Sequence, residues 1–420
     1  MNNSEKLNEN GGVVGNATVK EGVTKEKELK LNYLDKDFVY DCMSVPSHSG
    51  KEFRMITFII LWARRNNVKY EFDDYGNIYL TKGELNEGEF YPCLTSHLDT
   101  VQDKQDPYIM AGVPLDLKTE ITKDGEHKVS VDANGGSSIG IGADDKSGVC
   151  ISLTLFGKVD KLKACFFLEE EKGCLGSKQL NKEWFNDVGY VIGYDSPDLY
   201  RAAWSCSGVK LFSYDFYEKH MKTVCDKWGL VKGCFFSEPF TDVVEIRKQT
   251  KIICMNFGNG GYNAHGATEY IILEHMDDAC GMGLELIQTI GCTQHILDDT
   301  STARGGKTSG AYHKTADGVY EQDVVDDVKM LEDLGDNKRY GCYGGYGSNS
   351  SSTTTTTTLK KEDEVKLETV KYIVERYEKH ITAISAELTD SIKEVCEANN
   401  IDFALFETVI KDKFSNEITF

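Results

Sequence analysis

Ala164-Cys165-Phe166-Phe167-Leu168-Glu169-Glu170-Glu171 sets five apolar residues directly against three carboxylates. An apolar run of that length, bounded so sharply, reads as a strand buried on both faces of a sheet. Its end must emerge at the sheet's rim, and the glutamates are delivered there. The same pattern recurs along the chain. Tyr91 to Thr95 leads into Ser96-His97-Leu98-Asp99-Thr100, and Val188 to Tyr194 leads into Asp195. Ile252 to Phe257 runs into a glycine-rich turn that closes on Asn263-Ala264-His265, and Gly142-Ala143-Asp144-Asp145 stands just before a helical stretch. Acidic and imidazole groups therefore gather at the C-terminal ends of apolar strands, the edge at which open α/β sheets bind ligands.

Outward from these runs the organisation follows. Arg54 to Arg65 carries Ile56, Ile59, Ile60 and Ala63 at helical spacing. Val68, Tyr70 and Phe72 alternate into a turn at Asp73-Asp74-Tyr75-Gly76-Asn77, and Ile78 to Leu80 returns as a second strand. Lys146 to Phe156 and Ala279 to Ile290 are helix candidates between or after the apolar runs. Asp124-Gly125 marks a hairpin turn between His97 and Asp144, expected at the substrate entrance. The fold class expected is α/β, a mixed β-sheet sandwiched by helices.

Composition bounds the rest. The chain of 420 residues has 47 Lys and Arg against 68 Asp and Glu, a formal charge of -21. A field of that sign repels phosphate backbones and anionic lipid, so neither a nucleic acid nor a membrane is expected as partner. The 13 cysteines are scattered singly, without a C-x-x-C pair; with a polar N-terminus lacking a signal-type apolar core, this reads as a cytoplasmic protein. Residues 1–32 read as disordered and 33–296 as a packed domain. Residues 297–358, rich in Gly, Ser, Thr and Tyr, read as a low-complexity linker, and 359–420 as a helical C-terminal segment. There Val370, Ile373, Tyr377, Ile381, Ile384, Leu388, Ile392 and Val395 step by three or four, a seam that either docks on the main domain or joins copies into a homo-oligomer.

Carboxylates converging in one cleft repel one another, and some must stay protonated unless a strong positive charge sits among them. Divalent cations supply that charge, and two imidazoles with several carboxylates suit zinc, manganese or cobalt better than magnesium or calcium.

Taken together, five blocks resemble the co-catalytic dinuclear zinc exopeptidases, the clan that includes peptidase T, glutamate carboxypeptidase and several aminopeptidases. They are Ser96-His97-Leu98-Asp99-Thr100, Gly142-Ala143-Asp144-Asp145-Lys146-Ser147-Gly148, Glu170-Glu171-Lys172-Gly173-Cys174-Leu175-Gly176-Ser177, Tyr194-Asp195 and Asn263-Ala264-His265-Gly266-Ala267-Thr268-Glu269. Ser44 to Glu52 and Asp74 to Ile78 are weaker echoes. The resemblance spans residues 33–296 and implies two divalent metal ions, zinc first. Asp144 would bridge them, His97 and Asp195 would complete one shell, and Glu171 and His265 the other. Asp99 would orient His97 through its far ring nitrogen, and Glu170 would be the general base. Lys172 fills the slot between the Glu pair and Gly173, so the pair is Glu170-Glu171 and Glu169 is spare. The implied activity is a metal-dependent exopeptidase acting on short peptides, an aminopeptidase or di/tripeptidase. A deacylase of N-acyl amino acids is the alternative, and a silent scaffold the third reading.

The chain departs from the peptidase T branch in one respect. Only 70 residues separate Asp195 from His265, too few for the inserted lid domain of that branch, so a lid-less core is expected. An aminopeptidase needs a negative group for the substrate's amine, for which Glu269 and Asp242 are candidates. His275, ahead of a helix that Asp277 or Asp278 would cap, is read as structural. His48, His127, His220, His295, His313 and His380 are read as surface residues. Gly258-Asn259-Gly260-Gly261 lacks the Lys-Ser/Thr of a phosphate loop, and Ser205-Cys206-Ser207-Gly208 lacks a nucleophile elbow.

Overall fold

The computed structural model describes residues 29–102, 114–132, 140–231 and 234–298. The expected linker from 299 onward, the expected C-terminal helical segment with its expected seam, His313, His380 and residues 1–28 of the N-terminal segment lie outside the described residues. At both ends the ordered domain exceeds its expected bounds. Leu29, Leu31 and Leu297 pack against the core, and Leu297 N–H donates to Lys251 O.

The four apolar runs form the centre of a mixed, nine-stranded sheet ordered β1-β2-β6-β3-β7-β11-β8-β10, with β9 beside β8. The strands are β1 (Lys69–Phe72), β2 (Ile78–Lys82), β3 (Tyr91–His97), β6 (Leu162–Phe167), β7 (Val188–Ser196), β8 (Ala202–Cys206), β9 (Val209–Lys210), β10 (Phe235–Glu238) and β11 (Cys254–Gly258). β6, β3, β7 and β11 run parallel to one another, so their C-terminal ends share one edge, while β2 and β8 flank them antiparallel. β3, β6 and β11 are buried at every position, as strands covered on both faces must be.

Two layers of helix cover this sheet. Alternation along β7 shows how. A Cβ on Gly193 would meet Val243, on the helix Asp242–Thr250. The ring of Tyr194, one residue on, meets Gly283 and lies near Leu155, on the helices Leu273–Ile290 and Ala143–Phe156. Helices α1 (Lys36–Met43) and α2 (Phe53–Arg65) complete the core. Among the described residues nothing between Asp195 and His265 forms a separate lid, since β8, β9 and β10 join the main sheet. None of the described helices is long and apolar enough to cross a membrane.

A second sheet, β12-β13-β5-β4, was not anticipated. It pairs the expected hairpin, β4 (Leu117–Ile121) and β5 (His127–Val131), with β12 (Gly261–Tyr262) and β13 (Tyr270–Ile272). His265 therefore sits in a hairpin loop of this smaller sheet.

Helix Leu273–Ile290 begins six residues before the expected Ala279. Asp277 does not cap it. Its carboxylate instead accepts the N–H groups of Asn32, Tyr33 and Leu34 at 2.8 Å each, anchoring the incoming chain. Two histidines expected at the surface are buried. His127 is held by Glu274 (Nδ1 to Oε1, 2.7 Å), and His48 is 5 % exposed beside the strand-like bridge to Thr100. His275 bonds Tyr262 Oη and Glu126.

Candidate metal centre

The sheet edge brings His97, Asp144, Glu171, Asp195 and His265 together. Asp144 lies between the two imidazoles and offers one oxygen to each. Its Oδ1 is 2.9 Å from His97 Nε2, and its Oδ2 is 3.1 Å from His265 Nε2. Asp195 Oδ1 approaches His97 Nε2 at 3.5 Å, and Glu171 Oε1 approaches His265 Nε2 at 2.7 Å. Two sets of potential ligand atoms, each within 4.8 Å of one another, follow: His97, Asp144 and Asp195, and Asp144, Glu171 and His265. A third set, His97 with Glu170 and Glu171, places Glu170 at the same cluster. His97 is 1 % exposed and the His265 side chain 30 %, so the cluster is closed on the His97 side and opens past His265.

Each contributing segment is held by backbone chemistry. Glu169 has φ 53, which turns the chain sharply at the end of β6 into the short turn Glu170–Lys172. Asp99 secures that turn: its Oδ1 accepts Glu170 N–H at 2.9 Å, and its Oδ2 accepts Glu171 N–H at 3.2 Å and the Ser49 hydroxyl at 2.7 Å. His97 Nδ1 is 2.9 Å from the Asp99 backbone oxygen but 3.5 Å from its carboxylate. Asp99 thus meets the far ring nitrogen of His97 chiefly through its main chain, and its carboxylate fixes the neighbouring turn. Glu169 lies outside the cluster, bonded to Tyr75 Oη and Lys172 Nζ at 2.5 Å each.

Asp145 is fully buried and caps its helix by accepting Gly148 N–H at 3.0 Å. Glu269 has a structural task as well as the one for which it was a candidate. Its carboxylate accepts Gly142 N–H at 2.6 Å and Asp144 N–H at 3.2 Å, so it ties the His265 hairpin to the Asp144 loop. Glu269 is also buried, 3 % exposed. Nothing local in the sequence revealed this tie, because the partners are 125 and 127 residues away. Asp242 is 3 % exposed. Burial pushes its pKa up to about 7.

Burial and the neighbouring charges set the protonation of this cluster. Burial opposes charge on His97, yet Asp144, Asp195 and Asp99 outweigh it and lift its pKa well above the usual imidazole value. His265 rises to about 10: burial again opposes the charge, and Asp144 and Glu171 overcome it. Burial, and then the charge of Asp144, pushes Asp195 up to about 8 and raises Glu171. Glu170 rises well above the carboxylate range, through burial first and Asp195 second. By itself the cluster is thus driven to hold protons at neutral pH, which is the response of crowded buried carboxylates without a cation among them. Two imidazole nitrogens with flanking carboxylate oxygens form a donor set that fits divalent zinc, manganese or cobalt.

No protein-family model matches this chain, and no curated protein matches it. Solved structures do. A tripeptidase from Staphylococcus aureus Mu50 is similar over 61% of this chain and 99% of its own, at 13% identity and a TM-score of 0.46. The aminopeptidase PepT from Bacillus cereus is similar over 62% of this chain and 100% of its own, at 14% identity and a TM-score of 0.49. Aminoacylhistidine dipeptidase from Vibrio alginolyticus is similar over 43% of this chain and 37% of its own, at 19% identity and a TM-score of 0.34. At such identities and scores the likeness lends no weight to a function; that rests on the side chains at the sheet edge.

Proposed function

We propose that this protein is a two-metal hydrolase of amide bonds in short peptides, an exopeptidase. One observation supports the reading above others: the carboxylate of Asp144 offers one oxygen to each of two imidazoles, and each imidazole has a second carboxylate beside it. His97, Asp144 and Asp195 would hold one cation, and Asp144, Glu171 and His265 the other.

When bound, two divalent cations supply Lewis acidity that polarises the scissile carbonyl and acidifies water. The protein's own groups supply the rest. Glu170 is 4 % exposed and lies beside the ligand positions. Its place beside those positions suits a group that takes the proton of the attacking water and returns it to the leaving nitrogen. The Asp99 carboxylate fixes the peptide units of Glu170 and Glu171 together, so base and ligand keep their relative position. Zinc is the cation proposed, with manganese and cobalt as alternatives.

A panel of aminoacyl-anilides and N-acyl amino acids, run with each of these metals, tests the reading. Aminoacyl-anilide cleavage is expected, and Glu170→Gln should lower kcat by about 10²–10⁴-fold with metal content retained. Cleavage of N-acyl amino acids alone would move the assignment to a deacylase. No cleavage of either class, with no effect of Glu170→Gln, would overturn it.

A further inference from the structure

Strand β11 reads Cys-Met-Asn-Phe-Gly and is buried at every position. Asn256 is its single amide, fully buried among apolar neighbours. A polar group in such a place is costly unless every hydrogen bond is made. Asn256 makes them with one peptide unit above all. Its Oδ1 accepts Asp195 N–H at 2.9 Å, and its Nδ2 donates to Asp195 O at 3.1 Å. The side chain thus clasps both main-chain polar groups of a single residue on the neighbouring strand, where the register between β7 and β11 shifts.

The clasp is itself held. Asn256 Nδ2 also reaches Ser196 Oγ at 3.1 Å and Glu238 Oε2 at 3.3 Å. Ser196 Oγ donates to Glu238 Oε2 at 2.8 Å, and Arg201 Nε donates to Glu238 Oε1 at 2.8 Å. Gly193 leaves the room required, since a Cβ there would stand 3.0 Å from Asn256 Oδ1. At the register shift Asp195 has no paired residue on β11, so the amide takes the place of the ladder for its peptide. What the amide adds is a fixed orientation for the residue whose side chain faces His97.

We infer that Asn256 is a positioning residue for the cation site formed by His97, Asp144 and Asp195, acting through the Asp195 peptide and braced by Ser196, Glu238 and Arg201. The inference rests on the two-metal reading. It predicts an asymmetry: loss of the clasp weakens the Asp195 site and spares the site of Glu171 and His265. Groups that orient metal ligands from behind typically change metal affinity by about 10–100-fold.

The test is metal content and cobalt titration of the full chain, followed by visible absorption, for the parent, Asn256→Ala and Asn256→Asp. The aspartate keeps an acceptor for Asp195 N–H but cannot donate to Asp195 O, and it covers the case in which the alanine variant does not fold. The parent should hold two equivalents. Each folded variant should hold one at parental affinity and bind the second about 10–100-fold more weakly, with the melting of the metal-free protein showing that the fold persists. Two equivalents at parental affinity in the folded variants would overturn the inference alone, as would equal weakening of both sites, which marks a mere packing role. Fewer than two equivalents in the parent would overturn the two-metal reading instead.

Discussion

Gly283 lies inside the helix Leu273–Ile290, and replacing it with alanine sets two effects against each other. Helix propensity favours alanine by about 1 kcal/mol. Packing opposes it. A Cβ at Gly283 would fall on the hydroxyl of Tyr194, 3.0 Å from its Cζ and 3.4 Å from Leu155 Cδ1. The Tyr194 ring is rooted in a strand paired on both sides and cannot swing away. Overpacking of a close-packed core costs about 1–3 kcal/mol, and this site belongs at the top of that range because rigid backbone flanks both partners. The expected net loss is about 2 kcal/mol, or roughly 4–8 °C in Tm for a domain of this size. The hydroxyl is the cause, and it is dispensable. Tyr194 Oη is buried without a hydrogen-bond partner among the described residues, and such a group costs about 1–3 kcal/mol. Tyr194→Phe alone should therefore be neutral or stabilising, and Tyr194→Phe with Gly283→Ala should recover at least half of the loss. Urea unfolding of the metal-free single and double variants measures all three. An alanine variant as stable as the parent, or a double variant no better than the alanine alone, would refute the reasoning.

Three further outcomes are expected. Glu170→Gln should abolish most turnover while metal analysis stays at the parental value, as set out above. Asp144→Ala should lose both cations and His97→Ala one, read by elemental analysis after dialysis; equal losses would contradict a bridging Asp144. His295 is held down to about 4, by burial first and then by the charges of His220 and Lys219. Its neutral form is favoured in the folded state, so its contribution to stability is complete above the unfolded imidazole value near 6.5 and is lost as pH falls from there towards 4. His295→Gln should flatten the fall of Tm over that window, and an unchanged slope in thermal melts would show that His295 does not drive it.

Burial explains what was legible in the sequence. Strands β3, β6, β7 and β11 announced themselves because each carries an apolar run that ends abruptly in charged or glycine-rich residues, and four of the five ligand candidates followed from those ends, Asp144 standing instead at the start of a helix. Non-local pairing explains the rest. Strands β12 and β13 have two and three residues, too few for any periodicity, and they exist only because β5 lies alongside. Asp277 looked like a cap because it precedes apolar helical residues, but its partners stand more than 240 positions earlier in the chain. Glu269 was visible as an acidic residue near His265, yet nothing local reveals that both its oxygens are occupied by the Asp144 loop. Asp99 was legible as the partner of His97, two residues away, but nothing local reveals that its carboxylate also holds Glu170 and Glu171 across the sheet.

The division of the ligands between two sheets has a consequence for how such a site can change. Four of the five candidates are attached to the large sheet or to the helix packed on it, and only His265 rides on the small one. The β4–β5 hairpin, partly exposed along both strands, forms the outer half of that small sheet. Lengthening or exchanging that hairpin would tilt the His265 loop while the large sheet kept its geometry. Evolution or an engineer can thus adjust one wall of the cleft, and with it the room for a substrate, without dismantling the rest.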